Sequence, residues 1–294
     1  MRPIRALLWI GLWMLCAFQQ TPIRVEVEAV NVLVTVTDRK NRFVTNLQKD
    51  RFHIYEDGRR QFITNFRHET SLPLRIGLLV DTSSSVRLKL EFEKRAATRF
   101  VHSILRPQDQ VLLVEFDSGV SLLHDFTSNP RSIAKAIRGL KAGGGTALMD
   151  ALLSVSAEKM TDYETRQAIV ILSDGVDRDS ENTLEDVMRG IHRSGVTVYS
   201  IGTSRFGADQ QKKGEKVLRL LSRETGGRAF FPYTADGLQQ TFDLIDEELR
   251  SQYSLTYVPR NRARDGKFRE IEVKLMRNKG LNIRHRNGYY APAT

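Results

Sequence analysis

Between residues 72 and 252 the chain alternates short apolar runs with amphipathic stretches, and this restricts the fold more than any other feature. Residues 74–80, 110–116, 167–173 and 196–202 are apolar on both parities, as strands covered on both faces are. Residues 120–123 and 228–232 are weaker strand candidates. Helical patterns lie between them, at residues 86–105, 131–140, 146–160, 184–193, 215–224 and 235–249. Strands and helices in alternation imply a parallel sheet with helices on both faces. Asp117-Ser118-Gly119 is too short for a crossover, so residues 120–123 are expected as an antiparallel edge strand hairpinned to their predecessor. The expected fold class is α/β: a doubly wound, mostly parallel six-stranded sheet in the order 3-2-1-4-5-6, with one antiparallel edge strand.

The flanks have a different period. Ile23, Val25 and Val27 alternate on one parity and Val30, Val32, Val34 and Val36 on the other, which predicts half-buried strands with a bulge or a break between them. Phe52 and Ile54 continue the pattern into Glu56-Asp57-Gly58-Arg59, a hairpin turn. After residue 253, Leu255 and Tyr257, then Ile271, Val273 and Leu275, then Leu281 and Ile283, alternate around an Asp265-Gly266 turn. Neither flank is long enough for a good core of its own. One β-sandwich built from both, with the α/β unit inserted, is the favoured expectation; two separate β appendages are the alternative. The resulting partition is 1–20 signal peptide, 21–71 and 253–294 the two halves of the β module, and 72–252 the α/β domain.

The signal-peptide expectation rests on Arg2 and Arg5, an uncharged apolar run over residues 6–18, and then polar Gln19, Gln20 and Thr21. That run is shorter than the ~20 residues of a membrane span, so no transmembrane segment is expected in the mature chain. Removal would take away Cys16, the only cysteine, and with it any disulfide or thiolate metal site. It would also lower the formal net charge from +10 to +8. The basic residues are dispersed among acids, and an exported chain of this kind does not point to nucleic acid.

Three polar features stand at ends of the expected strands. Asp81-Thr-Ser-Ser-Ser85 follows the first apolar run, Gly143-Gly144-Gly145-Thr146 precedes a helix, and Ser173-Asp174-Gly175 follows the fourth strand in chain order. Each has a plain structural reading: Asp81 or a serine as helix cap, Thr146 as N-cap, Asp174-Gly175 as a turn pair. In the expected strand order the first and fourth strands are neighbours at the switch point, where loops at their carboxyl ends line one crevice. Asp81, Ser83, Ser85, Thr146 and Asp174 would then converge, an all-oxygen set suited to a hard divalent cation.

These motifs, Asp81-x-Ser83-x-Ser85, Gly-Gly-Thr146 and Ser-Asp174-Gly, resemble the metal-ion-dependent adhesion site of von Willebrand factor type A (VWFA) domains, over residues 72–252 with all five positions filled. The flanks resemble those of exported bacterial VWFA-related proteins: Val44 with Asp50-Arg-Phe-His-Ile-Tyr-Glu-Asp-Gly58 before, and Asp265-Gly266 with Arg286-Asn-Gly-Tyr-Tyr after. Ser84 departs from the glycine common in such bacterial loops. The resemblance implies direct metal ligation by Ser83 and Ser85, ligation by Thr146 directly or through water, and bridging waters at Asp81 and Asp174. It implies Mg²⁺ as cofactor, with Mn²⁺ or Ca²⁺ as possible substitutes, and a protein partner that offers an Asp or Glu carboxylate. It also implies that the last helix, residues 235–249, can shift with the site; here it runs almost directly into the C-terminal β zone.

Asp117, Asp150 and Asp177 are nearby acids; Asp177 and Ser180 are candidates for orienting the Asp174 loop, while Asp150 reads better as a solvated residue. The six histidines show no zincin-like pairing. A non-enzymatic binding or adhesion module is therefore the leading expectation. A metal-assisted hydrolase on a Rossmann-like sheet, or a structural envelope component with a vestigial site, are the alternatives. The dinucleotide fingerprint fails at Leu148, and neither a P-loop nor a GxSxG elbow is present.

Overall fold

A computed structural model describes residues 29–68, 72–160, 165–203, 209–278 and 280–293. The expected signal segment with Cys16, and the alternating residues 23–27, lie outside the described residues. Before the α/β unit come β1 (Val30–Thr37), β2 (Phe52–Glu56), β3 (Arg59–Gln61) and β4 (Ile63–His68). The unit itself contains β5 (Leu74–Asp81), α1 (Leu90–Ile104), β6 (Gln110–Phe116), β7 (Val120–Thr127), α2 (Pro130–Gly139), α3 (Leu148–Ser154), β8 (Arg166–Ser173), α4 (Leu184–Ser194), β9 (Thr197–Gly202), α5 (Asp209–Glu224), β10 (Ala229–Phe230) and α6 (Ala235–Arg250). After it follow β11 (Tyr253–Tyr257), β12 (Phe268–Leu275), β13 (Asn282–His285) and β14 (Gly288–Tyr290).

The central sheet has the order β10-β9-β8-β5-β6-β7, which is the expected 3-2-1-4-5-6 read from its other edge. All its pairings are parallel except β6–β7. Successive side chains of a strand point to opposite faces, so each buried strand feeds two cores. Leu74, Ile76, Leu78 and Val80 of β5 pack with α1, α2 and α6, and Phe100 of α1 stacks on Phe242 of α6 at 4.5 Å between centroids. Leu79 with Ile169 and Ile171 of β8 packs beneath α3, α4 and α5 on the other face. Gly77 belongs to this second face: a Cβ there would stand 2.8 Å from Met160 Cε. The missing side chain lets one π-helical turn, Val155–Lys159, close against the sheet.

Several helix limits differ from the periodicity. α1 begins at Leu90 instead of residue 86, because Ser84–Val86 forms a separate 3-10 turn. α3 starts after Thr146 and ends at Ser154, where the π-helical turn takes over. α5 begins six residues earlier than its apolar stripe. Among the described residues no helix is long and apolar enough to cross a membrane.

The terminal strands form two four-stranded sheets, β13-β1-β11-β4 and β14-β12-β2-β3, each mixing strands from before and after the α/β unit. Their inner faces share one apolar cluster, including Val32, Val34, Phe52, Ile54, Tyr253, Leu255 and Val273. The expected composite sandwich is what the chain builds. Asp57 and Gly58 have φ of 47° and 74°, the two positive values a type I′ turn requires, and they join β2 to β3. The Asp265-Gly266 turn differs from expectation: it lies in a connection that crosses from one sheet to the other. Buried Glu56 accepts hydrogen bonds from Tyr257 (2.7 Å) and Tyr289 (2.9 Å), which satisfies a carboxylate inside the sandwich.

Candidate metal centre

The switch point lies between β5 and β8, which pair in parallel up to Val80 and Leu172. One residue further along, β5 ends on Asp81, fully buried, while Ser173 ends β8 and leads into Asp174. Asp81 Oδ1 accepts from the Ser83 backbone N–H at 2.9 Å, and Oδ2 accepts from the Ser173 hydroxyl at 2.7 Å. Both carboxylate oxygens are thereby aimed. Ser173 was not singled out as a positioning group by the motif; the signal for it is its place at the end of the strand beside Asp81.

The serine loop curls so that Ser83 Oγ and Ser85 Oγ share a hydrogen bond at 2.9 Å, with Ser83 buried and Ser85 exposed. Neither caps α1, whose N-cap is Lys89. Thr146, also buried, does not occupy the N-cap of α3 either; Ala147 does, with no side-chain cap. The capping explanations for Asp81, the serines and Thr146 are therefore not what the fold uses.

Backbone hydrogen bonds stitch the three loops together. Gly143 N–H donates to Thr82 O (2.8 Å), and Ser84 N–H donates to Gly144 O (3.2 Å). Thr146 O accepts from the N–H groups of Arg178 (3.0 Å) and Asp179 (3.1 Å), which follow Asp174. Gly145 has no room for a side chain: a Cβ would fall 1.7 Å from Asp179 Oδ2. Gly175, at φ +76°, faces Gly214 of α5, and a Cβ on it would meet the Gly214 carbonyl at 2.4 Å. At these glycines the Thr146 loop packs against Asp179 and the Asp174 loop against α5.

Asp177 and Ser180 hold the first turn of α3: Met149 N–H donates to Asp177 Oδ2 (2.8 Å) and to Ser180 Oγ (3.0 Å). Asp150 is not the free solvated residue expected, since it accepts from the N–H groups of Glu181 (3.0 Å) and Asn182 (2.9 Å). Asp117 accepts from Gly119 N–H and closes the β6–β7 turn.

Burial pushes the Asp81 carboxyl up to about 6, with Asp174 adding to the rise and the bonds from Ser83 and Ser173 opposing it. Two neighbouring carboxylates, one fully buried, call for a positive countercharge. Among the described residues no three His, Cys, Asp or Glu side chains group as a metal-ligand set; the oxygens beside this acid pair are the hydroxyls of Ser83 and Ser85. Two oxygens in adjacent positions of an octahedral Mg²⁺ shell lie about 2.9 Å apart, given metal–oxygen distances near ~2.05 Å. The Ser83–Ser85 separation matches that edge, and the residues present fit a small hard cation.

Residues 76–176 match the sequence profile of the von Willebrand factor type A domain, inside the doubly wound unit. The middle unit is a VWFA domain. The human von Willebrand factor A domain-containing protein 3B is 30% identical over 162 residues, covering 53% of this chain and 12% of that protein. An uncharacterized protein of Synechocystis is 33% identical over 119 residues, or 39% of this chain and 28% of that one. The chain thus spans a minor part of either relative. Among solved structures, the vWF domain of the pilus tip protein Mfa5 from Porphyromonas gingivalis superposes with a TM-score of 0.51 at 15% identity, covering 60% of this chain and 94% of that one. Proximal thread matrix protein 1 of mussel byssus, with a zinc-occupied adhesion-site motif, gives 0.52 at 18% identity, covering 66% and 49%. These structures share the VWFA fold.

One further acid stands near the centre of the VWFA domain. Glu93 of α1 is 1% exposed, and both its carboxyl oxygens lack a hydrogen-bond partner. Burial, reinforced by the charge of Asp81, pushes it up to about 8. Its signal was in the sequence: it sits in the stripe Leu90, Glu93, Ala97, Val101, Ile104, where every other member is apolar.

Proposed function

We propose that this chain is an exported, metal-dependent protein-binding module, used in adhesion or assembly, that captures an acidic residue of a partner protein at its VWFA domain. The reading is carried by one observation: the Ser83 and Ser85 hydroxyls meet at 2.9 Å beside a pair of acids, at the open end of the sheet. Ser83, Ser85 and Thr146 would hold Mg²⁺, or Mn²⁺ or Ca²⁺ in its place, with Asp81 and Asp174 offsetting charge from behind. A cation held mainly by neutral oxygens supplies an electrophilic position for one more carboxylate. Asp81, fixed by Ser83 N–H and Ser173, keeps its charge aimed at that position while staying out of reach of the partner. The zinc-occupied motif of the mussel protein supports a divalent cation at the corresponding place. The reading is non-enzymatic, and the apolar run over residues 6–18 supports export.

The test pairs metal binding with capture. Mn²⁺ titration of the wild-type chain should report one site, weakened at least about tenfold in Ser83→Ala and Asp81→Ala. Capture of protein from an envelope extract should require Mg²⁺ and be lost in both variants. Capture indifferent to EDTA and to Ser83→Ala would overturn the reading.

A further inference from the structure

Beside the metal centre, a cavity of about 460 Å³ opens between the first turn of α1, the end of β9 and the start of α6. Its walls are mixed, with Phe92 and Leu238 on the apolar side, and Leu88 and Tyr233 are 87% and 70% exposed. Its polar lining includes Glu93, whose two carboxyl oxygens are buried with only the Thr203 hydroxyl facing them, beyond a good hydrogen bond. The Thr203 N–H donates to Ser173 O at 3.0 Å, which fixes the cavity next to the Asp81–Ser173 pair.

A buried carboxyl with unused acceptors is costly, and so is an exposed leucine and tyrosine pair; together they describe a site awaiting a ligand. The complement is a group with an aliphatic stem to lie against Leu88, Phe92 and Tyr233, and a cationic head with several N–H donors for Glu93 and Thr203. Arg and Lys side chains have that build, and Arg is favoured at buried protein contacts. Lys89 lines the cavity too and already acts on Glu93 as a positive charge, while Asp81 and Asp174 add negative potential that joins burial in raising it. A divalent ion is a poor occupant, because a single carboxyl with the hydroxyls of Thr203, Tyr233 and Thr234 supplies too little negative charge for it.

We propose that this cavity is a binding site for a basic side chain of a partner protein, with Glu93 as its countercharge and Thr203 as a second acceptor. The site goes beyond the metal reading and does not depend on it. Burial raises Glu93, so an entering cation displaces a proton from it, and binding should tighten as pH rises toward 8.

The experiment uses the full chain in EDTA, with butylguanidinium and its neutral analogue butylurea as probes, followed by calorimetry and by the methyl resonances of Leu88 and Leu238. We expect butylguanidinium to bind at least about tenfold more tightly than butylurea, and Glu93→Gln to abolish that preference. Equal affinities, binding of neither probe, or a preference that survives Glu93→Gln would overturn the proposal. The wild-type comparison of the two probes decides the matter even if the variant folds poorly. Loss of Mn²⁺ binding with this preference intact would reject the metal reading alone; the reverse result would reject this one alone.

Discussion

Glu93 is an acid that α1 buries in an otherwise apolar stripe, next to buried Lys94, and its cost has a definite sign. The carboxyl titrates near 4.5 when free and at about 8 in the fold, so the native protein keeps a proton that the unfolded chain has lost. Its contribution to stability is fully present below the free value and is lost as pH rises toward 8. At pH 7 the penalty is on the order of 3 kcal/mol. Glu93→Gln should therefore raise the melting temperature by several degrees at pH 8 and change it little at pH 4.5, as followed by calorimetry in EDTA. An equal gain at both pH values would show that the ionisable carboxyl is not the cause. Asp81, Ser83, Ser85, Thr146 and Asp174 stand out as candidates in the sequence because each sits in one of three short motifs, two at strand ends and one before a helix. Glu93 left only a faint signal, because a single charge in an apolar stripe barely disturbs the helical period, and Ser173 was hidden because its role depends on which strand lies next to it.

At the level of elements, α6 is the member with most to connect. Glu248, 1% exposed, accepts from Arg284 of β13 (2.6 Å), Tyr199 of β9 (3.0 Å) and Thr35 of β1 (3.3 Å). Arg250 at its end pairs with Asp109 at 2.5 Å, and Asp109 also accepts from Leu74 N–H at the start of β5. The helix is thus fastened to both the central sheet and the sandwich. Arg284→Ala leaves a buried acid with hydroxyl partners only and should cost about 2–4 kcal/mol in urea unfolding. A loss below about 0.5 kcal/mol would mean that the pair is not a structural tie. Strand existence and strand order were readable because buried apolar runs and turn residues agree. Helix starts were not: α1 waits until Leu90 because residues 84–86 turn aside to present the serines, and α5 begins in a polar stretch, Asp209 to Lys213, that carries no apolar period.

For the whole molecule, the sandwich and the VWFA domain share more than a linker. Besides Glu248–Arg284, His192 of α4 packs edge-on against Phe268 of β12 at 5.1 Å, and Asn287 bonds to Glu224 through backbone and side chain. Calorimetry of the wild-type chain should show one cooperative transition at neutral pH; two separated transitions would mean that these contacts do not couple the units. The α/β unit leaves the sandwich after β4 and returns at β11, and these strands are hydrogen-bonded neighbours, with His68 opposite Tyr253. A partner that tugs on the metal loops would therefore pull both roots of the insert in the same direction. Ladder bonds run across the strands, so the tension would arrive as shear between β11 and β1, with Val30 to Val34 resisting together and no bond peeled singly. On the proposed adhesive reading, the sandwich would serve as the mooring of the metal loops.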